Sequence, residues 1–203
     1  GLSIMPASNR GIKIFHMEAG LRAYDRRMPE QRNRILIDHM SDILLPYKEY
    51  HRENLIRENI HPSKIFVTGN TTFEAMDAFQ DKINKSEIIN KLGLEVGKYI
   101  LMSAHRSENV DDPATLEQIL ITADKIKKDL GYQVVFPMHP RTISKSKDNK
   151  LLKETVVIKP LGFYDWNYLL KNSACVLSDS GTAAEEGLYY RVPNISLRMA
   201  TER

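Results

Sequence analysis

Residues 176–188 read VLSDSGTAAEEGL. The apolar run Ala174–Leu177 stops at Ser178-Asp-Ser-Gly181, and a helix-compatible stretch follows with the adjacent acids Glu185 and Glu186. A strand that ends in small polar residues and opens a helix is an anion site, because the first amides of the helix point outward unpaired. A phosphate alone needs no carboxylate one turn further on. A ligand with a phosphate and vicinal hydroxyls, such as a nucleoside diphosphate, would use both. The alternative is an ordinary Ser/Asp helix cap followed by two solvated acids.

Outward from this stretch, strand and helix patterns alternate. Ile12–Met17 reads as a buried strand, Glu30–Asp42 as a helix, Ile43–Leu45 as a short strand, Tyr47–Glu58 as a helix and Lys64–Thr68 as a strand. Gly69–Thr72 breaks the pattern and would cap a helix running to about Lys82. Asp81–Gly97 is polar and has no strand signal, so it is expected to link two domains. Beyond it come strands at Tyr99–Ser103, Tyr132–Phe136, Val156–Ile158, Ala174–Leu177 and Asn194–Leu197. Helices are expected at Pro113–Leu130, Trp166–Lys171 and Thr182–Tyr190. Such alternation predicts an α/β fold with mostly parallel sheets and helices on both faces. Ligands then sit at the C-terminal ends of strands.

The chain has 203 residues, enough for one large or two small domains. A net charge of +3, with bases and acids interleaved, argues against nucleic acid as a partner. No apolar run approaches the roughly 20 residues needed to cross a bilayer, so no membrane association is expected. The single cysteine, Cys175, lies in an apolar strand and reads as a small buried hydrophobe, which fits a reducing cytoplasm. Neither Gly-Leu-Ser at one end nor Thr-Glu-Arg203 at the other reads as a natural terminus, so a fragment is expected.

Five stretches carry chemistry. His16-Met-Glu-Ala-Gly-Leu-Arg22 places Glu18 at a strand end, and Pro29-Glu30 opens a helix. Two carboxylates in different environments can serve as acid and base, although Glu30 also suits a helix start electrostatically. Ser103-Ala-His-Arg-Ser-Glu-Asn109 puts His105 and Arg106 after a buried strand; Arg106 and Glu108 could instead simply pair on the surface. Pro137-Met-His-Pro-Arg141 adds a second strand-end histidine, His139. The two histidines lack a partner at ligand spacing, so no metal is expected. Leu161-Gly-Phe-Tyr-Asp-Trp166 could cover a flat base or pack in the core. The turn at Ser178–Gly181 is the fifth.

In this order the stretches HMEAGLR, PEQRNR, TGNT, SAHRSENV, MHPR, LGFYDW, SDSGTAAEE and TER resemble the non-hydrolysing UDP-N-acetylglucosamine 2-epimerase family over the whole chain. The resemblance implies two Rossmann-like domains in a GT-B-like fold, the N-terminal one incomplete. Residues 1–78 would be the back part of the N-terminal domain, 79–98 a linker region, and 99–203 a truncated nucleotide-binding C-terminal domain. It implies a UDP-sugar substrate, elimination and re-addition of UDP, no cofactor and a homodimer for the full-length protein. Glu18, Glu30 and His105 match the family's catalytic positions. Ser180 and Gly181 match its phosphate turn, Glu186 its ribose acid, Arg203 a phosphate-contacting arginine and Phe163 a uracil contact, with Arg106 beside the substrate. The absence of a GxGxxG motif agrees with a reaction that uses no nicotinamide.

Three departures qualify the match. Thr182 stands where the common turn has a second glycine, a form closer to the branch making UDP-N-acetyl-L-fucosamine, which leaves the sugar open. The family's N-terminal glycine-rich loop and an Asp-bearing loop are missing, and so is its C-terminal helix. The chain alone is therefore expected to have little or no epimerase activity. A GT-B glycosyltransferase, a non-catalytic UDP-binding remnant and a hydrolysing epimerase remain alternatives.

Overall fold

The computed structural model describes residues 3–25, 28–146 and 151–198. The chain divides into two compact units, one ending at Thr71 and the other running Thr72–Arg198.

In the first unit, α1 (Ile4–Asn9) precedes β1 (Phe15–Met17), α2 (Pro29–Met40), β2 (Ile43–Leu45) and α3 (Glu49–Arg57). Strands β1 and β2 are parallel, with His16 opposite Leu44. Ala19, Leu44, Leu55, Ile60 and Ile65 form the core. The strand expected at Ile12–Met17 is shorter than its apolar pattern and is not buried: Phe15 and Met17 are exposed and only His16 turns partly inward. Among the described residues it pairs with β2 alone, which leaves its other edge without a strand neighbour there. Lys64–Thr68 is likewise reduced to a bridge between Leu44 and Ile65. The N–H groups of Phe66 and Thr68 bond to Leu44 and Pro46, a one-sided ladder that leaves Phe66 and Val67 exposed.

The second unit begins with α4 (Thr71–Ala78), α5 (Gln80–Asn84) and α6 (Ile88–Lys91). The helix expected to run on to Lys82 therefore breaks at Phe79. Residues 79–98, expected as a linker, carry two short helices instead. Their apolar side chains stand in short groups among Asp81, Lys82, Lys85, Glu87 and Lys91, yet Ile83 and Ile89 are buried, and Ile88, Leu92 and Leu94 pack on the sheet's core.

Then follow β3 (Tyr99–Ser103), α7 (Ser107–Val110), α8 (Pro113–Leu130), β4 (Gln133–Pro137), α9 (Pro140–Lys145), β5 (Val156–Ile158), α10 (Phe163–Asn172), β6 (Cys175–Ser178), α11 (Gly181–Tyr190) and β7 (Asn194–Ser196). The five strands are parallel in the order β5-β4-β3-β6-β7. β3, β4 and β6 are almost continuously apolar because helices cover both faces. One layer joins Ile100, Met102 and Phe136 to Leu116, Leu120 and Ala123 of α8. The other joins Tyr99, Leu101 and Val176 to Leu169 and Leu170 of α10 and Ala183 of α11. Removing one such leucine would cost about 2–5 kcal/mol. Asp112 caps α8 by accepting from the Thr115 N–H, Pro113 fits its first turn, and Gly131 ends it at φ 74°. Cys175 is half-buried beside the α8 layer rather than fully enclosed.

The strand order reverses direction at β3 and β6, so the loops after these two strands diverge and leave a crevice between them. Among the described residues no helix is long and apolar enough to cross a membrane.

Candidate functional site

At that crevice the second unit has a cavity of about 300 Å³, lined by His105, Phe163, Trp166, Ser180, Thr182 and Glu186 among others. Three separate chain segments supply them. Larger cavities lie elsewhere, between α8 and its neighbours, but neither joins a helix N-terminus to a strand-end histidine and a buried carboxyl.

The turn after β6 forms the cavity floor. Ser180 caps α11 with extended backbone, and its hydroxyl accepts from the Ala183 N–H at 3.4 Å. The Ser180 N–H itself donates to Ser178 Oγ at 3.0 Å. Gly181 is buried as the first helical residue, and Thr182 is exposed in the cavity wall. The first N–H groups of α11 thus open on the cavity with the positive end of the helix dipole behind them.

Glu186 lies one turn further along α11 and is only 6% exposed. Trp166 Nε1–H donates to its Oε2 at 2.7 Å. Burial is the main cause that pushes the carboxyl up to about 7; the bond from Trp166 opposes it and the nearby Glu185 adds to it. A carboxylate strained in this way gains from further donors, and the cis hydroxyls of a ribose are such donors.

Asp179 anchors the opposite wall. It is fully buried, and its Oδ2 accepts from the backbone N–H of His105 at 2.9 Å, of Arg106 at 2.8 Å and from Asn109 Nδ2 at 3.0 Å. Asn109 also donates to Leu197 O at 2.8 Å, so the ends of β3, β6 and β7 are tied together. His105 is held at the cavity edge, its ring tilted 37° against His139 with centroids 5.7 Å apart. Desolvation lowers its proton affinity, Asp179 raises it, and His139 and Arg106 lower it, with a net fall. Glu108 lies 3.9 Å from Arg198, which answers the expectation of an Arg106–Glu108 pair with a different partner.

Glu18 and Glu30 belong to the first unit. Glu18 follows β1 in a left-handed conformation, φ 63°, rare for a residue with a Cβ. Arg34 Nη2 lies 3.3 Å from its carboxylate, and Arg34 Nη1 donates to its carbonyl at 3.3 Å. The turn that holds Glu18 is fixed by buried charge. Arg22 and Asp38 have fully buried side chains, with Arg22 Nη2 2.7 Å from Asp38 Oδ2. Arg22 also forks onto Glu58 with bonds of 2.7 and 2.6 Å. Burial works to lower the Arg22 proton affinity, but the bonds and charges of Glu58 and Asp38 outweigh it and hold it raised. Asp38 accepts from the Gly20 N–H at 3.2 Å and lies 2.6 Å from His16 Nδ1. Glu30 stands exposed in the first turn of α2.

Of the residues singled out in the sequence, His105, Phe163, Ser180 and Glu186 line one cavity and Gly181 begins its helix. Arg106 does not line it; its backbone N–H serves Asp179. Arg203 lies outside the described residues. Trp166, Asp179 and Asn109 were not selected as site residues in the sequence. Asp179 stands within the quoted turn, but nothing local announces that its carboxylate turns back to a loop more than 70 residues away.

A family model described as UDP-N-acetylglucosamine 2-epimerase matches residues 2–203. The UDP-N-acetylglucosamine 2-epimerase of Methanococcus maripaludis is 36% identical over an alignment of 211 residues, covering 98% of this chain and 57% of the relative. A structure of UDP-N-acetylglucosamine 2-epimerase from Rickettsia bellii superposes with a TM-score of 0.87 at 37% identity, over 100% of this chain and 54% of that one. The Methanocaldococcus jannaschii enzyme, solved in complex with UDP-GlcNAc and UDP, matches with a TM-score of 0.87 at 36% identity, over 98% of this chain and 57% of that one. The chain therefore spans a little over half the length of the relatives it matches.

Proposed function

We propose, from the premise that this chain belongs to the UDP-N-acetylglucosamine 2-epimerase family, that the whole protein inverts the second sugar carbon of UDP-N-acetylglucosamine. The second unit would hold the nucleotide and the first would supply the acid–base groups. A base takes the proton from the second carbon, the bond from the first carbon to UDP breaks, and a 2-acetamidoglucal remains. UDP re-adds as a proton returns to the opposite face of the second carbon. Glu18 and Glu30 are the proposed proton-handling carboxylates, since each lies at an element end that keeps its side chain off the core.

The observation that carries the reading is the single cavity joining a helix N-terminus, a strand-end histidine, an aromatic and a buried carboxyl. Diphosphate fits the α11 amides, the ribose fits Glu186 and the uracil fits Phe163, which is 37% exposed. Charge building on the leaving diphosphate would be met by His105 and, in this reading, by Arg106 and Arg203. A cytoplasmic setting and a homodimer of the whole protein belong to the same proposal.

Calorimetric titration with UDP tests it, with Glu186→Ala as the control. Micromolar binding that the substitution weakens at least tenfold is the expected result. The absence of binding by a cooperatively folded chain would refute the nucleotide assignment. Product analysis on the whole protein separates N-acetylmannosamine still joined to UDP from the free sugar that a hydrolysing enzyme would release.

A further inference from the structure

Asp179 does more than close a turn. Its Oδ2 is saturated by the three donors from residues 105, 106 and 109, whereas its Oδ1 is buried without a hydrogen bond. The nearest ionisable neighbour is the His105 ring, with Nδ1 3.4 Å from Oδ1. A buried carboxylate oxygen left without a donor is costly, and a proton on Nδ1 is the supply at hand. The two ring nitrogens point to opposite sides of the imidazole. With Nδ1 turned to Asp179, Nε2 is the atom left for the cavity that His105 lines.

We propose that Asp179 is a positioning residue for His105, its free oxygen fixing the ring with the proton on Nδ1 and presenting Nε2 to an anionic ligand. When a diphosphate enters, Nε2 takes a proton from solvent and donates it as a hydrogen bond to a phosphate oxygen. The imidazolium then sits between two negative partners. Asp179 also couples the phosphate turn to the histidine, since its own backbone belongs to the one and its carboxylate to the other. The charged and titratable groups around the ring are Asp179 from the β6 turn, His139 from the α9 approach, neighbouring Arg106, and Glu186 across the cavity. His139 and Arg106 disfavour a charged ring, as does its burial, so Asp179 is the group that keeps it able to accept a proton. The identity of the anion rests on the nucleotide reading above; the tautomer does not.

The test is nitrogen-15 NMR on histidine-labelled full chain, free of ligand, with His105 assigned by His105→Gln. The neutral ring is expected as the Nδ1–H tautomer. Asp179→Asn keeps one oxygen for the donors of residues 105, 106 and 109 but turns an amide N–H toward Nδ1. It should invert the ring to the Nε2–H tautomer and lower its titration midpoint further, with the amide shifts of Arg106 and Asn109 retained. UDP affinity at pH 6 should fall about tenfold with Asp179→Asn. In a His105→Gln background the same substitution should change it less than twofold. An Nε2–H ring in the unaltered chain overturns the proposal without any variant having to fold, and so does a tautomer unchanged by Asp179→Asn. An unaltered chain with the expected tautomer that never binds UDP supports the Asp179–His105 relation and refutes the nucleotide reading.

Discussion

Trp166 and Glu186 meet across 2.7 Å, an indole N–H on a carboxylate that α11 buries beside the Ser178–Gly181 turn. The bond holds one carboxylate oxygen, and the Asn167 side chain adds a second, smaller contribution in the same direction. Together they are too little to offset burial, which is why Glu186 is pushed up to about 7.

That imbalance has a sign. The folded-state value lies above the unfolded one of 4.5, so between these two pH values the folded chain holds a proton that the unfolded chain has lost. The stability it contributes is complete below the unfolded value and is lost as pH rises through about 7. Glu186→Gln should therefore stabilise the second unit at pH 8 by on the order of 2–3 kcal/mol and change little at pH 4. Urea melts at the two pH values check it. Hydroxyl donors favour the ionised form, so the Glu186 contribution to UDP affinity should rise with pH through about 7, against the fall that proton uptake by His105 imposes, and Glu186→Gln should remove that rise.

The buried Arg22 predicts a different cost. Arg22→Leu leaves Asp38 and Glu58 without their cation, and Asp38 has no solvent to turn to. Breaking a buried pair from one side typically costs about 3–5 kcal/mol. Denaturant melts followed at Tyr24 or Tyr47 of the first unit should show the loss. Replacing all three members by apolar residues should recover part of it, because the charges are then removed together.

Gly20 tests the geometry of the same turn. Its φ is 77°, and a Cβ there would lie 2.2 Å from the His51 carbonyl oxygen, a backbone atom that cannot step aside. Gly20→Ala should destabilise the first unit by more than about 2 kcal/mol. The same substitution at Gly11, where nothing lies within 4 Å, should show only the backbone strain of its positive φ, about 1 kcal/mol.

Glu18→Gln separates binding from proton transfer. In the whole protein it should lower kcat about 10²–10⁴-fold, the usual range for a general acid or base. UDP affinity should stay within about twofold, because the proposed nucleotide groups lie in the other unit. A glycosyltransferase would keep its sugar transfer in this variant, so the same enzyme assay distinguishes the two.

The sequence was most legible where one segment carries its own signals. α8 begins and ends as its Pro113 and Gly131 dictate, and β3 and β5 match their apolar runs to the residue. It misled where burial depends on distant partners. Ile12–Met17 has the composition of an interior strand but lies at an edge, and Ile83 and Ile89 are core residues within a stretch whose charged residues outnumber its short apolar groups. The site divides along the same line. His105, Phe163 and Ser180 follow strands or open helices, positions that topology alone marks as ligand-facing, and Glu186 lies one turn into the helix that Ser180 caps. Trp166 Nε1 and the buried carboxylate of Asp179 act over separations of 20 and more than 70 residues, which periodicity does not encode.

The bond from Asn109 to Leu197 spans 88 residues, and Asp179 stands between them in the chain. During synthesis, His105 and its loop leave the ribosome long before the residues that fix them. The β3 loop must therefore wait, unanchored, until β6 and β7 have emerged, and contacts of such separation form late and slowly. A nascent chain stopped short of Asp179 would have β3, β4 and β5 made yet lack the carboxylate that orients His105. Ligand binding thus reports completion of this unit during translation, which a measure of helix content would not.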